Sequence, residues 1–175
     1  MSRPAPPDMT LRPLAEGDLG RTLEWLNRPD ISAAIGVRTP ITAAGQQAWF
    51  RDLAARRDKR VFAICRAADG GHIGNVSLDR IEPRHGTARL AIFIADGRGA
   101  GAGSRALSLL ARHAFGDLGL VRLWCKTTAG DDRVIRFYQR LGFQVEGRLR
   151  GHEVIAGRRV DKILLGLLAD EFVPY

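Results

Sequence analysis

The strongest constraint on this chain's fold runs from Ile92 to Phe115, IFIADGRGAGAGSRALSLLARHAF. An apolar, β-branched run leads into glycines, and Leu107, Leu110, Ala111 and Ala114 then recur at the spacing of one helix face. Glycine at a helix entrance costs backbone entropy, so four of them in seven residues (Gly97, Gly99, Gly101, Gly103) imply a need for bare backbone. The first N–H groups of a helix lack intrahelical partners and sit at the positive end of its dipole. A strand, a glycine turn and a helix in that order therefore make an anion-binding device. Arg98 adds a fixed, forked positive charge. The run ends in Gly103-Ser104-Arg105 and lacks the lysine of a P-loop. Asp117 falls between helix and strand, not at the end of a second strand as a dinucleotide fingerprint requires. A plain surface loop is the remaining alternative at this point.

The rest of the chain alternates between the two periodicities. Strands are expected at 9–14, 60–67, 72–81, 87–94, 121–127, 143–154 and 158–168. The turns between the later ones fall at Asp69-Gly70-Gly71, 82–86 and Ala156-Gly157. Helices are expected at 16–26, stopped at Pro29, at 43–57 behind an N-cap at Thr42, after the glycines to about 117–119, and at 131–141 with Gly142 just beyond. This order gives an α/β (α+β) chain built on a central mixed sheet of about seven strands with about four helices. Residues 1–8 read as a disordered lead-in without a secretory h-region, and 9–175 as a single domain.

Composition removes several function classes. No apolar run approaches the roughly 20 residues that span a bilayer. Cys65 and Cys125 each lie in a strand-like run and read as buried thiols in a reducing, cytoplasmic setting. The four histidines are scattered, so no metal site is expected. The net charge of +8 favours anionic partners, but the chain has no block of five basic residues, so a nucleic-acid tail is not expected.

Arg98-Gly99-Ala100-Gly101-Ala102-Gly103 also fits Gln/Arg-x-x-Gly-x-Gly/Ala. Downstream, DDRVIRFYQRLGFQVEGRLRG (131–151) fits Asn-x-x-Ala-x-x-x-Tyr-x-x-x-Gly-Phe-x-x-Glu-Gly, and LRPLAEGDLGRTLEWLNRPDI forms the opening segment. On these motifs the chain resembles the GNAT N-acetyltransferase superfamily over about residues 9–170, with its pattern nearest to the Rim-type and amino-sugar enzymes. The resemblance implies a mostly antiparallel, twisted sheet splayed between the fourth and fifth strands. It also implies acetyl-CoA as cosubstrate, bound in that splay. Phe93 and Ile94 would offer backbone groups to the pantetheine arm. Arg98, Gly99, Ala100, Gly101, Ala102, Gly103 and Ser104 would hold the pyrophosphate, where side chains would obstruct it. Asp131 would stand near the pantetheine arm, where the family usually has Asn. The loop between Ile94 and Arg98 is about one residue shorter than the family's.

Tyr138 falls where the family often protonates the departing thiolate, a reasonable role for a phenol; helical periodicity alone reads it as a core aromatic. The attacking amine must be neutral, and many relatives carry a glutamate base in the fourth strand, where this chain has Arg89. Glu24, Glu82 and His85 are the remaining candidates, each equally readable as a solvated surface residue. Glu24, Trp25 and Asn27 open the region that the resemblance assigns to the acceptor, although Trp25 also reads as core and Asn27 as a helix end. The expected acceptor is a protein N-terminus or a small-molecule amine, with an amino-sugar nucleotide as the alternative and a turnover-free acetyl-CoA sensor as the alternative of another class. The positive charge, and the sparse acids between Asn27 and Arg57, argue against polycationic acceptors. Relatives in this superfamily are often dimers, so a homodimer is an expected partner state.

Overall fold

The computed structural model describes residues 8–36, 40–99, 101–155 and 157–175. Its strands are β1 Met9–Pro13, β2 Lys59–Arg66, β3 His72–Glu82, β4 Thr87–Ile94, β5 Arg122–Thr128, β6 Gln144–Ile155 and β7 Arg158–Leu168. Its helices are α1 Leu19–Leu26, α2 Pro29–Ile35, α3 Ala43–Ala55, α4 Ala102–Arg112 and α5 Asp132–Gln139. The seven strands form one sheet in the order β1-β2-β3-β4-β5-β7-β6. Every neighbouring pair is antiparallel except β4–β5, which is parallel because the chain crosses back through α4.

Sequence periodicity accounts for the layering. In β5, Leu123, Cys125 and Thr127 are buried and alternate with partly exposed neighbours, as a strand's period of two requires. The main core packs α4 and α5 on that inner face, around Leu78, Leu110, Leu123 and Leu165. On the outer face, Leu19, Trp49 and Phe50 of α1 and α3 cover β2 at Ala63 and Cys65. Trp25 and Ile31 of α1 and α2 cover the end of β4 at Phe93 and Ala95.

Two expected boundaries change. Five α-helices form where about four were expected. Pro29 does end α1, but it also occupies the first turn of α2, where its missing N–H has no bond to lose. The expected first helix is divided: Glu16–Asp18 form a 3-10 turn, and the regular helix begins at Leu19. Thr42 caps α3 as expected, its hydroxyl accepting from Gly45 N at 3.1 Å. Ala156, in the expected final turn, lies outside the described residues.

Candidate active site

The parallel pairing of β4 with β5 is short. Thr87↔Arg122, Ala88↔Leu123 and Arg89↔Trp124 are in register, yet β4 continues to Ile94 and β5 to Thr128. Beyond Arg89 and Trp124 the two strands part and leave a fork in the sheet. The glycine turn stands at the open end of this fork, after Ile94.

That turn is built from left-handed residues. Gly97, Gly99 and Gly101 have φ of 69°, 101° and 89°. An added Cβ at Gly97 or Gly99 would meet open space, so conformation rather than crowding demands glycine there. Gly103 is different: its Cβ would stand 3.3 Å from Phe137, so this glycine lets α5 approach α4. Gly101 caps α4 without a side-chain acceptor, leaving the first-turn amides around Ala102, Gly103 and Ser104 for a ligand. Ala102 is buried and Ser104 half-buried, while Ala100 lies outside the described residues. The Arg98 side chain takes a different course. Its Nε donates to Ile94 O at 2.6 Å, and its Nη2 pairs with Asp30 at 2.9 Å, so the guanidinium ties the end of β4 to α2.

Tyr138 lies on the inner face at the fork. It is 7% exposed, edge-on to Phe137 and Phe143 at 5.2 and 5.3 Å. Its hydroxyl neighbours the thiol of Cys125, the first β5 residue past the last β4 pair. Burial pushes the Cys125 thiol up to about 12. Burial, and then Cys125 beside it, push the Tyr138 phenol well above the ordinary tyrosine range, so it remains a donor. Asp131 caps α5, accepting from Val134 N at 3.2 Å. Aspartate performs that capping as well as asparagine does.

The acceptor-side candidates are dispersed. Glu24 is exposed on α1. Trp25 is 4% exposed and packs edge-on against His72 and Phe93. Asn27 exchanges two hydrogen bonds with the backbone of Ile41, at 2.9 and 2.8 Å, and so fixes the approach to α3. Glu82 ends β3 and His85 lies in the turn before β4, at the closed end of the fork. Seven strand steps, about 23 Å, separate them from the glycine turn.

Two polar assemblies were not anticipated. The first runs under α1. Arg12 grips Asp18 through both guanidinium nitrogens at 2.6 and 2.8 Å, and Asp18 also accepts from Ala15 N at 2.8 Å. His72 Nδ1 lies 3.4 Å from Asp18, and its Nε2 faces the carbonyl oxygens of Asn75 at 2.7 Å and Gly74 at 3.0 Å. Asn75 passes the chain on to Thr22 at 3.2 Å. The second assembly lies on the outer face beside the fork: Lys126, His152, Glu153 and Lys162, with Arg89 paired to buried Asp79 at 2.6 Å. One signal was available, since Trp124, Lys126 and Thr128 alternate through a strand otherwise read as core.

The family described as Acetyltransferase (GNAT) domain matches residues 8–144. The chain belongs to the GNAT acetyltransferase family. The chain is 25% identical over 169 residues to an uncharacterized N-acetyltransferase, p20, of Bacillus licheniformis, covering 94% of each. It is 29% identical over 106 residues to the spermidine N(1)-acetyltransferase of Escherichia coli strain K12, covering 60% of this chain and 57% of that protein. The crystal structure of spermidine N-acetyltransferase from Vibrio cholerae in complex with CoA and spermine shares the fold at TM-score 0.89 and 23% identity, over 93% of this chain and 96% of that one. These relatives do not specifically bear out the nearness to Rim-type enzymes. This GNAT protein is an N-acetyltransferase, and acetyl-CoA is its acetyl donor. Among the described residues, no helix is long and apolar enough to cross a membrane, and no cluster of His, Cys, Asp and Glu could hold a metal.

Proposed function

We propose that acetyl-CoA lies in the β4–β5 fork with its diphosphate on the glycine turn, and that a small-molecule primary amine attacks the thioester directly in a ternary complex. The observation carrying this reading is the run of left-handed glycines at 97, 99 and 101, set at the open end of the fork. Backbone amides there meet an anion without a side chain between them. Phe93 and Ile94, on the half of β4 that pairs with β3 but not with β5, supply main-chain groups for the pantetheine arm. Arg98 exchanges its Asp30 contact for the diphosphate.

The amine nitrogen adds to the carbonyl carbon, the C–S bond breaks, and the departing thiolate meets the hydroxyl of Tyr138. Only the neutral amine has the lone pair for this attack, so its ammonium proton must leave first. The known activities of the spermidine relatives support a small-molecule acceptor over a protein N-terminus. The free, buried Cys65 and Cys125 support a reducing, cytoplasmic setting.

The test is calorimetric titration with CoA, combined with thiol release from acetyl-CoA across an amine panel. Heat of binding together with amine-dependent thiol release is the expected result. Binding without release on every amine identifies a sensor, and absence of binding overturns the reading.

A further inference from the structure

We propose that the amine acceptor carries its own anionic group, a carboxylate or phosphate, held by Lys126, Lys162, Arg89 and Arg80 on the outer face beside the fork. This inference rests on the acetyl-transfer reading above and specifies its acceptor.

The register carries the argument. Arg89 is the last β4 residue paired with β5, opposite Trp124, and Lys126 stands two residues further along β5, on the same face. Cys125 and Tyr138 approach the same point from the inner face. A thioester in the fork therefore has the phenol on one side and the Lys126 ammonium on the other. Lys162 reaches this face from β7, opposite Thr128, and donates to its hydroxyl at 3.0 Å. Neither helical cluster of the outer face includes a residue of β5, β6 or β7, so among the described residues no apolar helix packing covers this region.

The charges there do not balance. Lys126 feels three cations, Arg80, Arg89 and Lys162, and one carboxylate, Glu153. Glu153 is shared between Lys162 at 3.0 Å and Lys126 at 3.8 Å. Arg89 is matched by Asp79. In formal charge, exposed Arg80 and one ammonium exceed the two carboxylates, although Lys126 also has the neutral acceptor His152 Nε2 at 2.7 Å. The lysines are not swinging in solvent, because their side chains are only 18% and 10% exposed. Partly desolvated excess charge of one sign is costly until a counter-charge arrives.

The backbone is also strained at this place. Arg80 has φ of 50° in a bulge between Asp79 and Glu82, the one described non-glycine residue with positive φ. A bulge re-aims a side chain, and such strain persists where surrounding structure holds it. Ile81 packs on the core where alternation would have placed Arg80, and Arg80 is exposed. The chain's three lysines are Lys59, Lys126 and Lys162 in a sequence whose other 24 basic residues are arginine, so two of the three meet at this point. Such a field repels a polyamine and attracts an amino acid or an amino phosphate.

The test uses the full-length protein, saturating acetyl-CoA and matched amines: ethanolamine against O-phosphoethanolamine, propylamine against β-alanine, and spermidine. The expected result is that at least one anionic member exceeds its neutral partner in kcat/KM by about tenfold or more, with spermidine lowest. The phosphate and carboxylate pairs distinguish the two anions. Lys126→Gln and Lys162→Met should each bring the ratio toward one, while both variants still show a cooperative thermal unfolding transition. Preference for spermidine or the neutral amines, or a ratio unmoved in both variants, overturns the proposal. If no amine is acetylated, the transfer reading fails separately. Titrating O-phosphoethanolamine and β-alanine into the CoA-loaded protein then decides this one: Lys126-dependent heat sustains it, and no heat overturns it.

Discussion

Replacing Tyr138 with phenylalanine removes one oxygen atom and separates two roles that differ in magnitude. The ring's edge contacts with Phe137 and Phe143, at 5.2 and 5.3 Å, survive the change. What is lost is at most a weak polar contact with the neighbouring Cys125 thiol, so stability should change by no more than about 1 kcal/mol, or about 2–4 °C in thermal midpoint. A proton donor to the leaving group contributes about 10²–10⁴ in rate, or about 3–5 kcal/mol of barrier. Burial holds the phenol above its ordinary range, so it is protonated at any practical assay pH. Full transfer to a thiolate runs uphill by at least about 1.5 pH units, or about 2 kcal/mol, so the hydroxyl acts mainly by hydrogen bonding to the charge that develops on sulfur. Steady-state thiol release should show kcat reduced at least tenfold, with the CoA dissociation constant from calorimetry little changed. An undiminished kcat would refute the donor role and leave Tyr138 as a core aromatic.

Other perturbations test the scaffold. Gln46 is 3% exposed and both of its amide atoms lack a hydrogen-bond partner, so Gln46→Leu should stabilise by about 1–2 kcal/mol in denaturant unfolding; a lower midpoint would contradict this. Gly99→Ala forces an alanine to φ of 101°, so it should destabilise by about 1–2 kcal/mol and weaken CoA binding, whereas Gly20→Ala, helical and open in α1, should leave binding intact and slightly raise stability. The Arg12 guanidinium holds the Asp18 carboxyl below its usual range, even against burial. A depressed carboxyl contributes stability above its unfolded pKa and loses it as pH falls through the folded value. Stability should therefore fall on acidification below about pH 4, and less steeply in Asp18→Asn, which should itself cost about 3 kcal/mol at pH 7. Equal slopes in the two proteins would rule out the Asp18 contribution.

Local chemistry explains what could be read without coordinates. Alternation placed the seven strands, because a strand's two faces meet different solvents whatever the fold. Thr42 announced its helix because a cap acts within three residues, and the glycine turn announced itself because only glycine adopts the left-handed conformation cheaply. Pro29 was half legible: proline stops a helix and also starts one, and the choice depends on Ile31 finding Trp25 and Ala95 to pack against.

The remainder needed the tertiary structure. Where the fork opens is set by the register of two residues 35 positions apart, Arg89 against Trp124, and no local signal encodes a distant pairing. Nor could the sequence reveal that Arg98 is tied to Asp30, or that Asp131 is consumed in capping, because both are choices among competing partners. The Lys126, Lys162 and Arg89 field comes from three separate strands and exists only when the sheet brings them onto one face. Sequence alone therefore determined the elements and the left-handed glycine turn, which rest on short-range backbone physics. The charge placement proposed for the acceptor side is long-range, and only the folded sheet decided it.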